Sequence, residues 1–374
     1  MKLLLRYAHR YLGYTAGVII AITCLSGAIL ALEKEITPYL TPSLQAVDIP
    51  TSTTPLAPGK LLESIAAQLP EKQVGGLTIR KNPARSWLVE IPGQKEVLFV
   101  NPYTAEILGK GSARHPFFVA TLKLHRYLLQ GEAGRVVVGT ATVILIIILL
   151  TGAMVWLPSL TKNSRNYFLA VKRKAHAAKR PNRYRKLYDW HVLLALAALP
   201  ILLLCSITGP AWSFKWYRAG LFASVGTKVL PRQPYANTGI QAIAPRCFHL
   251  VDSAIASIQH TNNLQSIAIR MDKQGNALTL ATLPNGSLTQ KQVDTYTYSI
   301  DQQKIVKADL WRDKSRSAKM PTWLYAVHTG TWGGVPTQLL YAAATLLGAT
   351  LPISGFLMLT ARKRRLKKPS AMRS

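Results

Sequence analysis

Acidic residues are scarce in this chain: 16 Asp and Glu stand against 46 Lys and Arg in 374 residues, a formal net charge of +30. No acid occurs in residues 159–188 or in the tail 361–374. Cysteine is scarcer still. Cys24, Cys205 and Cys247 are the three present, too few for a disulfide framework, and with two of them inside apolar runs no bridge is expected. No GxGxxG segment follows a strand pattern and no P-loop occurs, so a nucleotide site within this chain is excluded.

The distribution of charge excludes a further class. A strongly basic chain often binds nucleic acid. Here 20 of the 46 basic residues fall in three short segments: Lys2, Arg6 and Arg10 in 1–10, ten from Lys162 to Lys186 in 159–188, and seven in 361–374. Each segment flanks a long apolar run. Apart from Asp189, the acids lie in 33–133 and 215–335. Basic residues gathered beside spans are the positive-inside pattern. It predicts a multi-pass protein of the lipid bilayer with both termini and the 159–188 loop in the cytoplasm, both long loops outside, and no nucleic-acid partner.

The four apolar runs are Tyr11–Leu32, Arg135–Leu157, His191–Phe214 and Thr337–Thr360. Each has about the 20 residues that a helix rising 1.5 Å per residue needs to cross a bilayer. The first run also has the grammar of a signal peptide, but it is long for one and it takes part in the repeat below, so it is read as a retained helix. The expected organisation is a first span (1–32), an external module (33–115), a surface helix with the second span (116–158), a basic loop (159–188), a third span (189–214), a second external module (215–320), a histidine segment with the fourth span (321–360) and a basic tail (361–374). The opening of the first module, Thr37–Pro42, and the Ser/Thr/Pro-rich 49–58 read as loop. A helix over Gly59–Leu69 and strands over Leu77–Arg80, Ser86–Ile91 and Glu96–Asn101 follow. The second module repeats the plan, with a helix over Phe248–Gln259 and strands over Leu264–Arg270, Ala277–Thr282, Val293–Ile300 and Lys304–Trp311. The expected class is therefore an α-helical membrane protein, a four-helix bundle with two extracytoplasmic α+β modules.

The repeat extends to single residues. Gly27 follows His9 by 18 positions, as Gly209 follows His191; Gly152 follows His125 by 27, as Gly355 follows His328. Ser or Thr precedes all four glycines (Ser26, Thr151, Thr208, Ser354). Two parallel halves imply a pseudo-two-fold axis along the membrane normal. That topology puts His9 and His191 near the cytoplasmic face and His125 and His328 near the outer one.

Ionisable groups at membrane depth are costly and mark function. Two imidazoles facing each other in a helical bundle suit axial ligation of haem iron. A bare metal would ask for Cys, Asp or Glu beside the histidines, and only Asp189 is near one. Gly13 and Gly17, on the face of His9, and Ala195 and Ala198, on that of His191, leave room for a flat macrocycle, and Arg6, Arg10 and Arg126 suit its propionates. The plainer alternative is interfacial histidines among aromatics, with the small residues as packing contacts; the matched pairs favour haem. His115 stands ten residues before His125, within reach of a substrate or a haem edge. His176, His249 and His260 fall outside the repeat and read as exposed.

His9-Arg10-Tyr11-Leu12-Gly13, His125-Arg126-Tyr127-Leu128, Trp190-His191, and His328-Thr329-Gly330 with Trp332-Gly333-Gly334, together with the four Ser/Thr-Gly pairs, resemble the PepSY-associated transmembrane family over nearly the whole chain, and the external modules are similar to PepSY modules. Within that family the chain resembles the FoxB-type ferric-siderophore reductases of the bacterial inner membrane. The resemblance implies two haems b held by His9, His191, His125 and His328. It implies an electron taken from a quinol or a cytoplasmic reductase and delivered to a ferric siderophore outside, with Trp332, Trp323 and Trp212 near the outer face. The rival implication is a non-enzymatic PepSY-type protein that regulates a periplasmic protease or senses a peptide. A permeation path is disfavoured by four spans without mid-span charge.

The topology has a direct test. In a cysteine-free background, a membrane-impermeant maleimide added to intact spheroplasts is expected to label Gln302→Cys, and to label Ser164→Cys only after permeabilisation; the reverse pattern would invert the orientation.

Overall fold

The structure, a computed structural model, describes residues 2–51, 54–156, 183–231, 241–258 and 263–366. Most of the basic loop and tail, with His176 and His260, lie outside the described residues. The helices in chain order are α1 (Lys2–Ala31), α2 (Glu33–Leu40), α3 (Pro42–Gln45), α4 (Pro58–Gln68), α5 (Pro116–Tyr127), α6 (Gly131–Trp156), α7 (Arg183–Thr208), α8 (Lys215–Ser224), α9 (Phe248–Ala256), α10 (Arg316–Thr329) and α11 (Gly334–Leu366). The chain divides into two compact units, one of residues Met1–Glu33, Phe118–Gly226 and Leu324–Ser374, the other of Lys34–Phe117 and Thr227–Trp323.

The first unit is helical. Four helical stretches, Leu3–Ala31, Gly131–Trp156, Arg183–Trp212 and Thr331–Ala361, are long and apolar enough to cross a membrane. α1 packs against α6 and α11, and α11 against α7. Their shared core is made of Ala16, Ile20 and Cys24 from α1, Ala141 and Leu149 from α6, Ala198 and Leu202 from α7, and Ala344 from α11. Small residues allow this close approach. Gly17 takes part: a Cβ there would lie 3.1 Å from Cβ of Pro352. Gly17 and the fully buried Ala198 are thus packing positions, against the expectation that they leave room for a macrocycle. The outward faces are equally apolar. Val18 is 72% exposed and Phe356 59% exposed, an arrangement suited to a lipid solvent. Pro200 and Pro352 lie within α7 and α11, as membrane helices tolerate where neighbours satisfy the freed carbonyls.

The second unit is a single eight-stranded antiparallel sheet with the order β4-β3-β2-β1-β5-β6-β7-β8. Its strands are β1 (Gly76–Arg80), β2 (Trp87–Glu90), β3 (Glu96–Val100), β4 (Ile107–Ser112), β5 (Leu264–Met271), β6 (Ala277–Pro284), β7 (Asp294–Ser299) and β8 (Lys304–Asp309). The two segments between the apolar helices, read from the sequence as separate external modules, share this sheet. β1 pairs antiparallel with β5 from Gly76↔Arg270 to Arg80↔Ser266. Across the seam, Arg270 grips Glu90 through two hydrogen bonds of 2.7 and 2.6 Å. α4 and α9 pack together, and Leu61, Leu62, Ile65, Phe248, Val251 and Ala254 cover Leu77, Val89, Ile267, Ile269 and Leu280 in one core. The Gly59 backbone N–H donates to the Asp252 carboxylate at 3.1 Å, and a Cβ on Gly59 would stand 2.6 Å from the Phe248 carbonyl oxygen, so glycine is required there. Burial pushes the Asp252 carboxyl above its ordinary value, and the Gly59 N–H acts in the opposite sense.

Five elements depart from the sequence expectation. The prolines of Thr37–Pro42 suggested loop, yet α2 and α3 are helical: Pro38 lies inside α2, in its second turn, at the loss of one backbone hydrogen bond, and Pro42 opens its turn, where a missing N–H is harmless. β4 escaped notice because ILGKGS has no alternation. Gly109 suits its place, with a φ of 149° and a Cβ there 2.8 Å from the end of the Leu44 side chain. α10 forms over a segment with no apolar stripe, and α8 follows the third span directly.

Ile267 is fully buried at the seam-side core, so Ile267→Ala should cost about 2–5 kcal/mol. Glu90→Gln weakens a pair whose Arg270 side chain is 55% exposed and should cost no more than about 1 kcal/mol. Thermal unfolding of the full chain in detergent, followed by circular dichroism, would rank the two; equal losses would mean that the sheet core does not carry this unit.

Candidate functional site

The helical unit brings the four repeat histidines together in two pairs. The His9 and His191 rings have centroids 6.3 Å apart and planes at 89°. The His125 and His328 rings are also 6.3 Å apart, with planes at 63°. Along α1, His9 and Gly27, which touches the second pair, are 18 residues apart, about 27 Å at the rise of an α-helix. One pair thus stands towards each end of the bundle.

Each ring has a seat on a neighbouring helix, and the seat is a Ser/Thr-Gly pair. A Cβ on Gly152 of α6 would lie 3.0 Å from Cε1 of His9; one on Gly27 of α1 would lie 3.1 Å from Cε1 of His125. Gly209, just after α7, faces His328 at 3.6 Å, and Gly355 of α11 faces His191 at 4.0 Å by the same measure. The sequence showed each glycine at a fixed distance after a histidine, but the glycine that seats a ring belongs to the other member of the helix pair. His125 and His328 each stand close before a chain reversal. The first reversal uses left-handed backbone at Leu128, Leu129 and Gly131, with φ of 48°, 61° and 55°; the second uses Gly330 and Gly334, at 74° and 69°.

The hydroxyl before each glycine meets the imidazole at Nδ1. Ser354 Oγ is 2.8 Å from His191 Nδ1 and Thr208 Oγ1 is 2.8 Å from His328 Nδ1. Ser26 Oγ is 3.2 Å from His125 Nδ1, and Thr151 Oγ1 is 3.5 Å from His9 Nδ1. Backbone carbonyls add to this, Ile148 O at 3.0 Å from His9 Nδ1 and Thr23 O at 3.0 Å from His125 Nδ1. Each hydroxyl has one proton and gives it to its own helix: Thr151 to Ile147 O at 2.7 Å, Ser26 to Ile22 O at 2.7 Å, Thr208 to Leu204 O at 2.7 Å, Ser354 to Leu351 O at 2.9 Å. At His9 and His125 the carbonyl can only accept, which puts the proton on Nδ1 of these two rings; at His191 and His328 the partner is a hydroxyl that also bonds a carbonyl of its own helix.

These residues fit haem. Two imidazole nitrogens about 2.0–2.1 Å from one shared metal, on opposite sides, put their ring centres on the order of 6 Å apart, which is the spacing of both pairs. Ligating histidines characteristically donate their other ring N–H to an acceptor. Among the described residues no group of three or more His, Cys, Asp or Glu could hold a bare metal ion, so a metal held by one pair needs further donors, which a porphyrin brings. A Cβ added at Gly13, on the face of His9, would meet nothing within 4 Å.

The other predicted site residues fare differently. Arg6 is exposed. Arg10 lies over the Tyr7 ring at 5.6 Å and Arg126 over the Tyr127 ring at 5.1 Å. Trp332 is 47% exposed and donates its indole N–H to the Tyr341 hydroxyl at 3.4 Å. Trp212 is the tryptophan against a site imidazole, 5.0 Å from the His328 ring centre. His115 belongs to the other unit, where its Nδ1 accepts the Phe117 N–H at 3.2 Å. Sequence reasoning recorded the Ser and Thr residues as markers of the repeat and missed their contact with Nδ1; their recurrence before all four glycines was the available signal. The Ile148 and Thr23 carbonyls left no signal, because a backbone acceptor leaves no trace in residue type.

The family described as "PepSY-associated TM region" matches residues 6–362. No curated protein matches the chain.

The seats predict a graded response. Gly27→Val and Gly152→Val press a branched side chain into the His125 and His9 rings, and each should cost about 1–3 kcal/mol. Gly355→Ala should be neutral. Fluorescence-detected thermal unfolding in detergent would measure both; a flat series would show that the rings are not held by these glycines.

Proposed function

The chain belongs to the PepSY-associated transmembrane family, and we propose that it is a di-haem b electron conduit of the bacterial inner membrane that reduces a ferric siderophore on the periplasmic side. The observation that carries the reading is the pair of matched imidazole sites, each with rings 6.3 Å apart and every Nδ1 already engaged. His9 and His191 would hold one haem, and His125 and His328 the other. Haem so held supplies reversible one-electron exchange at iron. The chain's residues do the rest. The Ser/Thr-Gly seats orient the imidazoles, and the apolar walls of the bundle keep water from them. The end-to-end separation of the pairs gives one site to each face of the membrane. The positive-inside pattern supports a cytoplasmic location for both termini and for the His9/His191 end.

The palindromic strand order about the β1–β5 seam and the exchange of seats within each helix pair both support a duplicated architecture with a pseudo-two-fold axis, its two external segments being PepSY-like modules. The substrate class follows from coordination chemistry. Siderophores hold Fe(III) through hard oxygen donors, and Fe(II) is held more weakly, so one electron delivered outside releases the cargo. With no nucleotide-binding loop in the sequence, the donor is a quinol or a separate cytoplasmic reductase.

Oxidised and dithionite-reduced optical spectra of the purified protein are expected to show six-coordinate b-type haem at about two per chain. His191→Ala and His328→Ala should each lose about half of it, and the double variant nearly all. Gly13→Leu, which meets nothing in the protein, should lower occupancy of the His9/His191 site without lowering thermal stability. Absence of haem from the wild type would end this reading, and loss of the same haem in both single variants would refute the pairing.

A further inference from the structure

The four imidazoles are anchored in two different ways. Each Nδ1 faces a hydroxyl and the backbone carbonyl three residues before it on the same facing segment. In the first half the carbonyl is the closer partner: Ile148 O at 3.0 Å against Thr151 Oγ1 at 3.5 Å for His9, and Thr23 O at 3.0 Å against Ser26 Oγ at 3.2 Å for His125. In the second half the hydroxyl leads, with Ser354 Oγ 2.8 Å from His191 and Thr208 Oγ1 2.8 Å from His328. The Leu351 and Cys205 carbonyls also face these two rings, but the hydrogen bond of good geometry goes to the hydroxyl. Each pair therefore joins one carbonyl-anchored imidazole with one hydroxyl-anchored imidazole.

We infer that Ser354 and Thr208 are positioning residues, whose hydroxyls hold His191 and His328 in the Nδ1–H form so that Nε2 faces the partner ring, while Thr151 and Ser26 are dispensable for this purpose. The physical reason is which acceptor makes the closer hydrogen bond, a backbone carbonyl in the first half and a side-chain hydroxyl in the second. An imidazole in apolar surroundings has two tautomers of similar energy, and the one with a bonded N–H prevails. Removing the Thr151 or Ser26 hydroxyl leaves a carbonyl in place. Removing the Ser354 or Thr208 hydroxyl takes away the principal acceptor, and the proton is then free to move to Nε2, where it blocks ligation. An Nδ1–H bonded to an acceptor also makes Nε2 the better donor to a metal, and loss of such a partner characteristically costs 10–100-fold in metal affinity, as an order of magnitude. The tautomer assignment stands on the hydrogen bonds; what Nε2 meets rests on the haem reading above.

The experiment has two arms. In the first, protein labelled with 15N at histidine and prepared without haem is reconstituted in liposomes, and imidazole tautomers are read by solid-state NMR, each ring assigned by the matching His→Gln difference spectrum. Wild type should show Nδ1–H at all four positions. Ser354→Ala and Thr208→Val should shift His191 and His328, respectively, towards Nε2–H, Ser354→Thr and Thr208→Ser should restore them, and Thr151→Val and Ser26→Ala should leave His9 and His125 unchanged. In the second arm haem is titrated into the same proteins. Ser354→Ala and Thr208→Val should each weaken one of two sites about 10–100-fold, with the conservative variants near wild type. Unchanged tautomers in Ser354→Ala and Thr208→Val, or equal shifts in all four hydroxyl variants, would overturn the assignment. A wild type with the stated tautomers that takes up no haem would instead overturn the conduit reading and leave the anchoring intact.

Discussion

An imidazole among apolar side chains must find a partner for its N–H, and the helical unit depends on how that demand is met. Every site histidine is bonded by an acceptor on another segment and rests on the glycine beside it. For His191 and His328 the acceptor hydroxyl and the glycine are adjacent in sequence, and for His9 and His125 the closer carbonyl lies one helical turn before the glycine, so one short stretch supplies both polarity and space. Because α1 carries a histidine near one end and a Ser-Gly seat near the other, while α6 and the α5 segment before it carry the complements, two contacts fix the register of the helices at both ends. α7 and the α10–α11 segment repeat the arrangement. Between the two levels the helices need only small, well-fitting residues. They have them in Ala16, Gly17, Ala141, Ala198 and Ala344, with Pro352 against Gly17. Such packing is what stabilises helices in a solvent as apolar as their own side chains.

The sheet unit follows different physics. Its core is a conventional apolar layer beneath α4 and α9, and its novelty lies in the joining of two sequence segments along β1 and β5. Each segment alone has four strands and one covering helix, a small core. Joined, they bury Leu77, Ile79, Ile267 and Ile269 along a continuous surface, and no strand edge remains open at the seam, where an exposed edge would invite association. The Glu90–Arg270 pair and the Gly59–Asp252 contact tie the segments above and below the sheet plane.

Much of this was legible in residue order. Hydropathy runs are local, and they placed the four spans correctly apart from their ends. The α4 and α9 helices and seven of the eight strands carry ordinary periodicity. The histidine pairs were legible because the same two His-to-Gly spacings occur twice along the chain. What escaped had non-local causes. β4 is held by its pairing with β3, with Leu44 against its glycines. α2 tolerates a proline within its second turn. Gly17 and Ala198 looked like room beside a histidine because spacing reports the face of a helix and not the neighbour on that face. The neighbour is Pro352 for one and the bundle core for the other.

The sequence by itself determined that the chain holds four apolar runs long enough to cross a membrane, that its basic residues cluster beside them, and that four histidines stand in two matched sets. Each of these depends on composition or spacing along one segment. Only the tertiary structure decided which glycine seats which ring, which acceptor meets each Nδ1, and that two separate segments of the chain close into one sheet. The hydroxyls that meet the imidazoles are 99, 142, 120 and 163 positions away from them in sequence. Partner choice over such distances is settled by packing of whole helices, which no local pattern of residue types records.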